Sequence, residues 1–463
     1  MPSSANVSNM KNFLLISYYW PPSGGVGVQR WLKLTKYLPL EGWRPVVLTP
    51  ENPAFDLQDS ALEKEVSADV EVLRLPIWEP YHLARKFSGK TEGAMNYGVG
   101  MESGQNRFAG RIMHWLRGNV LLPDPRIFWL NPASKFAMDI MEKNEIEAII
   151  TTGPPHSMHL IGRSLKKKTA LPWIADFRDP WSEWDVLRRM HTGKLAMRLH
   201  QKLEKAVLKE ADLVISATPG LSQSLERLGG RPVHTLLNGL DLQALPQAFV
   251  QPKRPSKFRI FHAGMLNEGR NPEHLWPVLA SLCEQHSAFA DALEVVLVGS
   301  VSPLINPSER YPVLKDKLQI KPPVPNQQVW EMMQQSAVLL LLVDRVPAGR
   351  LVIPYKMYEY LAAQKPVLYI GFPDTTTGDI LREQQAGESF TFDEEAALET
   401  YILKLFQEYQ QGSSMQRTTD LTPYDRQQQA RQVAQWLNEL VPGTEVPRTE
   451  IPGSEGTGTE PGD

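Results

Sequence analysis

The chain has 463 residues, of which 42% are hydrophobic and 22% charged, as in a soluble globular protein of two or three domains. Its net charge of −3 excludes the basic character of a general nucleic-acid binder, and its single cysteine, Cys283, excludes internal disulfides. The first ten residues lack a secretory signal pattern, and no apolar run approaches the roughly 20 residues of a membrane span. We therefore expect a cytoplasmic protein, or one that contacts the inner face of the cytoplasmic membrane only at its surface.

Short apolar runs alternate with helical patterns along the first half of the chain. The runs that predict strands are 13–17, 45–50, 70–76, 148–152, 172–177 and 212–217, and a helical pattern begins soon after the first of them. A second set follows at 258–264, 293–300, 338–343 and 366–371. Such alternation is typical of parallel sheets with helices on both faces, so we predict an α/β protein with two doubly wound domains.

The two domains are predicted over residues 11–242 and 256–422. Between them, a segment rich in proline and turn residues predicts a linker with a hinge near 240–255. The last segment, 442–463, has almost no apolar residues and is predicted to be disordered.

Two glycine-containing loops follow predicted strands and precede predicted helices. Gly24, Gly25 and Gly27 offer backbone amides and a helix N-terminus, which suit an anionic or polyhydroxylated ligand. Their spacing is not that of a full dinucleotide fingerprint, so a tight turn without a ligand is the alternative. In the second domain, Gly264 directly follows a strand and Arg270 precedes a helix. An arginine there is suited to binding phosphate oxygens, the alternative being a solvated surface residue.

Polar residues also follow two later strands of the first domain. His156 lies on the proline-rich loop "TTGPPHSMH", which favours a catalytic role, with a structural histidine as the alternative. Asp176, Arg178 and Asp179 lie in "IADFRDPW". Asp179 or Arg178 would contact a ligand there, the alternative being an internal lattice of ion pairs among the three.

Taken in chain order, these segments resemble the retaining glycosyltransferases of family 4. The resemblance rests on "PPSGGVGVQRW", "TTGPPHSMHLIG", "IADFRDPW", "LLNGLD", "FHAG" with Arg270, and "IPYKMYEYLAAQKPVL". It implies the GT-B fold, with two Rossmann-like domains facing across a cleft and a final helix, here 423–441, that crosses back to the N-terminal domain. It also implies a nucleotide-sugar donor held mainly by the C-terminal domain and an acceptor held by the N-terminal domain.

The resemblance implies a role for each candidate residue. Glu359 matches the second glutamate of the family's E-x7-E pattern, which binds the ribose hydroxyls, and Lys356 lies three residues earlier and would help to bind phosphate. The first glutamate of the pattern is replaced by Leu351, which leaves the identity of the sugar open. The implied donor-binding residues are Gly24, Gly25, Gly27, Gly264, Arg270, Lys356 and Glu359; the catalytic residues are His156, Asp179 and Arg270; and the acceptor residues are Arg178 and Asp179.

The function expected from this resemblance is sugar transfer with retention, in the assembly of a cell-surface polysaccharide or glycolipid. Fixed positive charge would stabilise the departing diphosphate. We expect neither a metal nor another cofactor, because no Asp-x-Asp motif follows a strand. The basic amphipathic segment 187–213 predicts contact with anionic lipid, the alternative being a helix that packs its leucines on the sheet. The segment 85–120 is a second candidate for an acceptor or membrane face.

Two alternatives to glycosyl transfer stay open at this point. A sugar-nucleotide epimerase shares the two-domain architecture, although "YKMYEYLAA" favours transfer. A non-catalytic GT-B-like binding or scaffold protein is suggested by Leu351. A nicotinamide oxidoreductase would need the fuller glycine fingerprint.

Overall fold

Two parallel β-sheets, each covered by helices, form the described part of the chain. The computed structural model describes residues 10–55, 57–80, 115–245, 255–412 and 415–442. The first sheet contains β1 Lys11–Ile16, β2 Trp43–Pro50, β3 Glu71–Leu75, β4 Ile146–Gly153, β5 Trp173–Phe177, β6 Leu213–Ser216 and β7 His234–Thr235. The second contains β8 Phe258–Ala263, β9 Leu293–Val298, β10 Leu318–Lys321, β11 Val338–Leu342, β12 Val367–Ile370 and β13 Gly387–Phe390.

The strand orders are β3-β2-β1-β4-β5-β6-β7 and β10-β9-β8-β11-β12-β13. Each sheet therefore begins near its centre and winds outward in both directions, and all the registered pairs of strands are parallel. This arrangement creates a switch point beside β1 and another beside β8, where ligands of such sheets bind. The predicted α/β fold with two Rossmann-like domains is confirmed.

The helices of the N-terminal domain are α1 Val26–Tyr37, α2 Leu130–Lys143, α3 Ser157–Thr169, α4 Asp185–Arg189, α5 Lys194–Glu210 and α6 Pro219–Gly229. Those that follow are α7 Leu275–Gln285, α8 Ser287–Ala292, α9 Pro307–Arg310, α10 Asn326–Gln334, α11 Lys356–Ala363, α12 Thr376–Glu383, α13 Glu395–Gln410 and α14 Arg426–Leu440. Within the described ranges, none of the helices combines the length and the apolar character that crossing a membrane requires.

The last helix, α14, returns to the N-terminal domain. Val433, Trp436 and Leu437 share one buried cluster with Trp31 of α1. The indole of Trp43 also donates a 3.0 Å hydrogen bond to Asn438 on α14. The expected crossing helix is thus confirmed. The tail predicted to be disordered, the middle of the predicted hinge and most of the segment 85–120 lie outside the described residues.

Sequence patterns missed three short strands, β7, β10 and β13. The central strand β11 is buried along its whole length, as expected for a strand covered on both faces. The edge strand β10 reads LQIK and is largely exposed, and β13 reads GESF. Strand β7 lies within the predicted linker, where Leu236 joins the core of the first domain.

Candidate functional site

The loops at the carboxyl ends of the two sheets meet between the domains. The hydroxyl of Tyr355 in the second domain donates a 3.2 Å hydrogen bond to the carbonyl of Gly239. The hydroxyl of Thr218 in the first domain donates to the carbonyl of Leu351 at 2.5 Å. The predicted donor and acceptor loops therefore lie on facing sides of one interdomain region.

The glycine loop between β1 and α1 is shaped by its neighbours. The amide of Gly24 donates to the carbonyl of Leu57 at 2.8 Å, and a Cβ atom on Gly24 would lie 2.9 Å from the Leu57 Cγ atom. Gly25 has a φ of +83°, in the left-handed region that favours glycine. Gly25 lies at the exposed tip of this loop. Close packing and backbone conformation thus explain Gly24 and Gly25 without a ligand, while the exposed tip leaves room for one.

Arg178 joins the glycine loop to the loop after β4. Its guanidinium donates to the carbonyls of Gly27, Gly153 and Pro154, the Gly153 contact being 3.3 Å, and it lies 5.7 Å from the ring centre of Tyr19. A Cβ atom on Gly27 would come within 3.2 Å of this guanidinium. The N–H groups of Arg178, the predicted acceptor residue, therefore donate to backbone carbonyls. In this structure the residue connects the glycine loop to the loop after β4.

Asp176 forms a buried ion pair with Arg30, with N–O distances of 2.9 and 3.1 Å. It also accepts hydrogen bonds from Trp31 (2.7 Å) and Thr152 (2.9 Å). Burial opposes ionisation, but the Arg30 charge and these hydrogen bonds hold the pKa of Asp176 below its ordinary value. Asp176 therefore belongs to an internal ion pair, but its partner is Arg30 of α1 and not the neighbouring Arg178 that the sequence suggested.

Asp179 has a different environment from Asp176, although the two are three residues apart. Burial raises the pKa of the Asp179 carboxyl, and the adjacent Arg178 charge only partly opposes this rise. The two aspartates therefore differ in how readily they ionise, and the catalytic and acceptor roles predicted for Asp179 stay predictions.

His156 lies at the start of α3, on the loop that follows β4. Its ring stacks on the Trp181 indole at 4.8 Å with an interplanar angle of 4°. Burial, together with the nearby His159, His200 and Arg178, lowers the pKa of His156 well below its ordinary value. The imidazole is therefore neutral at physiological pH, and it can exchange hydrogen bonds with a hydroxyl but supplies no fixed charge.

His156 lines a pocket of the N-terminal domain. The apolar walls of this pocket are Tyr19, Trp181, Trp184, Val186, Leu187 and Met190, and its polar lining residues are Arg117, Asp124, Arg126 and His156. Aromatic walls with a few polar groups are typical of sites that bind sugars or other small organic ligands. We call this cavity the His156 pocket.

In the second domain, Arg270 lies on the loop after β8. Its Nε and Nη2 atoms donate to one carboxylate oxygen of Asp344 at 2.9 and 2.8 Å. Asp344 directly follows the buried run after β11, a position where polar residues meet ligands, but the sequence interpretation did not single it out. The amide of Gly264 donates to the Val298 carbonyl at 2.9 Å and extends the pairing of β8 and β9.

Glu359 and Lys356 form an ion pair on the first turn of α11, where Glu359 is buried and Lys356 half-buried. Nearby, burial lowers the pKa of His262 to about 4; its hydrogen bond to the Leu340 carbonyl opposes this shift, and the charges of Arg270 and Lys356 add to it. Two cations thus lie near the carboxyl ends of β8 and β11, each paired with a carboxylate. His262, which the sequence interpretation also missed, lies in the "FHAG" segment beneath these charges.

A family model of the glycosyl transferase 4-like domain matches residues 24–239. This match spans most of the N-terminal domain and just under half of the whole chain. No curated protein matches the sequence. The match covers the glycine loop, His156 and Arg178, so the three loops described above belong to this domain.

The whole described fold is similar to those of solved glycosyltransferases. The sucrose-phosphate synthase of Thermosynechococcus elongatus is 15% identical with a TM-score of 0.56, and the alignment covers 93% of this chain and 96% of that one. TarM is 9% identical with a TM-score of 0.56 and coverages of 93% and 99%. WaaG, a glycosyltransferase involved in lipopolysaccharide biosynthesis, is 11% identical with a TM-score of 0.52 and coverages of 93% and 100%.

At these identities the likeness establishes the GT-B fold alone. In this fold the predicted residues form two groups, one around the His156 pocket and the other around Arg270 and α11. Among the described residues, no group of three or more His, Cys, Asp or Glu side chains is arranged to hold a metal ion.

Proposed function

We propose that this chain is a glycosyltransferase that moves a hexose from a nucleotide-sugar donor to a glycan or lipid-linked acceptor, with retention of the anomeric configuration. The observation that supports it most is the convergence of Arg270, Lys356 and Glu359 at the carboxyl ends of β8 and β11, facing a domain with an aromatic pocket. The first group carries the charges that a nucleoside diphosphate needs, and the second offers walls for an acceptor.

The donor would be held by complementary chemistry at three points. The Glu359 carboxylate accepts hydrogen bonds from a vicinal diol such as that of ribose, and Lys356 orients this carboxylate through their ion pair. Asp344 occupies the Nε and Nη2 donors of Arg270, so the Nη1 side of the guanidinium remains for a phosphate oxygen. Lys356 adds a second positive charge close to this position.

Transfer breaks the bond between the anomeric carbon and the diphosphate, and negative charge develops on the departing phosphate. Arg270 and Lys356 are in place before this charge develops, so they stabilise it without reorganisation. In the same-face mechanism that we propose, the acceptor oxygen bonds to the anomeric carbon on the face from which the diphosphate leaves, and the departing phosphate oxygen takes the proton of the acceptor hydroxyl. Neutral His156 would orient a hydroxyl of the transferred sugar. We assign the required positive charge to these side chains and to no metal or other cofactor.

Binding of nucleotides to the purified protein tests this proposal. Thermal shift and calorimetry with UDP, GDP, ADP and their glucose, galactose and N-acetylglucosamine conjugates should show stabilisation by one nucleotide series. Stabilisation by NAD instead would contradict glycosyl transfer, and no stabilisation by any diphosphate would favour a binding or scaffold protein. A Glu359→Gln variant, which keeps the size of the side chain and removes its charge, serves as the site control.

We also propose that the acceptor is met at an anionic membrane surface, through helix α5. The leucine stripe of this helix was expected either to face lipid or to pack on the sheet, and its two halves differ. Val207 is fully buried, whereas Leu199 is 42% exposed and Leu195 is 80% exposed. Only the C-terminal half of the stripe packs on the domain, so the N-terminal half presents apolar side chains to solvent.

Other apolar side chains lie beside the exposed half of α5. Asn119 accepts a 2.7 Å hydrogen bond from the amide of Gly193, just before the helix, and the neighbouring Trp115 and Val120 are 49% and 57% exposed. Exposed basic residues surround this patch: Arg188, Arg189, Lys194, Arg198, Lys202 and Lys205. Basic residues around an apolar tip suit anionic lipid, each near the surface contributing about 1 kcal/mol.

Sedimentation with vesicles of anionic and of neutral phospholipid tests the membrane contact. The wild type should bind anionic vesicles at low salt and release them at high salt. Binding should disappear when Lys194, Arg198, Lys202 and Lys205 are changed to Gln. The matched control changes four exposed lysines elsewhere on the domain, namely Lys64, Lys135, Lys143 and Lys168. Equal loss in both variants would point to net charge rather than to this helix, and no binding by the wild type would contradict membrane contact.

A further inference from the structure

The loop that follows β11, residues 343–352, is tied to the loop that carries Arg270. The amide of Arg345 donates to the carbonyl of Gly269 at 2.9 Å, beside the ion pair between Asp344 and Arg270. The loop is also folded tightly on itself, since a Cβ atom on Gly349 would lie 2.5 Å from the Asp344 carbonyl oxygen. A displacement of this loop would therefore displace Arg270. We call residues 343–352 the Arg270-supporting loop.

The N-terminal domain holds the same loop from the opposite side. The carboxylate of Asp185 accepts a 2.8 Å hydrogen bond from the amide of Ala348. Gly220 lies close to the loop as well, because a Cβ atom there would be 3.5 Å from the Arg350 carbonyl oxygen. Together with the hydrogen bond from Thr218 to the Leu351 carbonyl, these contacts hold the first domain against the Arg270-supporting loop.

Asp185 lies in the segment that forms one wall of the His156 pocket. It is the first residue of α4, and its neighbours Trp184, Val186 and Leu187 line that pocket. One carboxylate therefore joins the wall of the pocket in the first domain to the loop that supports Arg270 in the second.

From this arrangement we infer that Asp185 is a positioning residue that couples occupancy of the His156 pocket to the placement of Arg270. This inference rests on the proposed function, since it takes Arg270 as the residue that meets the diphosphate. A diphosphate on Arg270 stabilises the Arg270-supporting loop, and through Ala348 and Asp185 it stabilises the closed contact and the pocket wall. By linkage, a ligand in the pocket strengthens diphosphate binding by the same factor.

A carboxylate suits this task better than a neutral side chain. A hydrogen bond from a backbone amide to a charged acceptor is stronger than a neutral one, and it forms only when the two domains approach. Glu183, two residues earlier, carries the same charge but makes its hydrogen bonds with Ser224 and Arg227 inside its own domain. Glu183 therefore serves as a matched control for Asp185, because only Asp185 makes a hydrogen bond across the interdomain contact.

Calorimetric titration with UDP, GDP and ADP tests the inference on the full chain. Asp185→Ala should weaken the tightest of the three diphosphates about tenfold, the effect of losing one hydrogen bond to a charged group. Asp185→Asn keeps an oxygen acceptor but loses the charge, and its affinity should fall about threefold. Glu183→Ala should bind as the wild type does.

A second readout separates positioning from a loss of folding. Small-angle scattering should show the wild type becoming more compact with the tightest-binding diphosphate, and Asp185→Ala doing so less, at an unchanged melting temperature without ligand. If Asp185→Ala does not fold, Asp185→Asn decides, and wild-type affinity and compaction in it would overturn the inference. If the wild type binds diphosphate and Asp185→Ala binds it equally, only this inference fails. If the wild type binds none of the three, the proposed function fails and the inference falls with it.

Discussion

Replacing Arg270 by Ala separates a catalytic cation from a surface ion pair. The Arg270 and Asp344 side chains are 35% and 25% exposed. Ion pairs with this degree of solvent contact contribute about 0–1 kcal/mol to the free energy of unfolding, so the variant should lose little stability. Losing a preorganised group that stabilises charge in the transition state costs about 10²–10³ in kcat, or about 2.7–4 kcal/mol. We therefore expect a large loss of turnover at nearly unchanged stability.

Two companion variants sharpen this prediction. Asp344→Asn removes the same ion pair but keeps the Arg270 cation, so it should match Arg270→Ala in stability and exceed it in turnover. Arg270→Lys keeps a charge without the planar fork of donors and should recover only part of the rate. The partial recovery is expected because the lysine ammonium is a point charge, which cannot make the bidentate contact with a phosphate that the arginine guanidinium makes.

The measurements are release of nucleoside diphosphate under saturating donor and the free energy of unfolding from urea titrations. A wild-type rate for Arg270→Ala would show that the residue only pairs with Asp344. Equal losses of turnover in Arg270→Ala and Asp344→Asn would refute the reasoning in another way, because the ion pair rather than the cation would then be what matters.

Two other predictions concern buried carboxyls. Glu359→Gln should weaken binding of the donor by about 1.5–3 kcal/mol, since the ribose hydroxyls lose a charged acceptor, and calorimetry that shows unchanged affinity would rule out this assignment. Burial raises the pKa of Glu204 from an ordinary value of 4.5 to about 7. The folded chain therefore holds a proton that the unfolded chain releases between these values, and the free energy of unfolding falls as pH rises through that window. Glu204→Gln should remove this fall, at most about 3 kcal/mol, in urea titrations at pH 4.5 and pH 8, and an equal fall in both proteins would contradict it.

The sequence indicated the central strands well because their burial leaves a local mark. Strand β11 reads VLLLL and is covered on both faces, so its uninterrupted apolar sequence is enough to indicate a buried strand. The edge strand β10 is covered less and keeps polar residues, and its pattern resembles that of a loop. The segment predicted as a linker was partly misread for a related reason, since Leu236 is buried by contacts with elements far away in the chain.

The candidate site was predictable to the level of loops, and the roles of its residues stay predictions. Parallel topology places every loop that follows a strand at one edge of its sheet, so chain order alone pointed to His156, Arg178 and Arg270. It did not reveal the partners of these residues. Asp344, which holds Arg270, is 74 residues away in the chain.

By itself, the sequence determined the alternation of strands and helices, the two sheets and the loops that carry chemistry, because burial periodicity and turn residues act over a few neighbouring positions. Only the tertiary structure decided how those loops use their charges. Arg178 binds three backbone carbonyls, Arg30 pairs with Asp176 across 146 residues, and Asp185 reaches Ala348 across 163 residues into the other domain. Such pairs depend on distances set by the packing of whole elements, and no local pattern of residue types encodes a distance between segments so far apart.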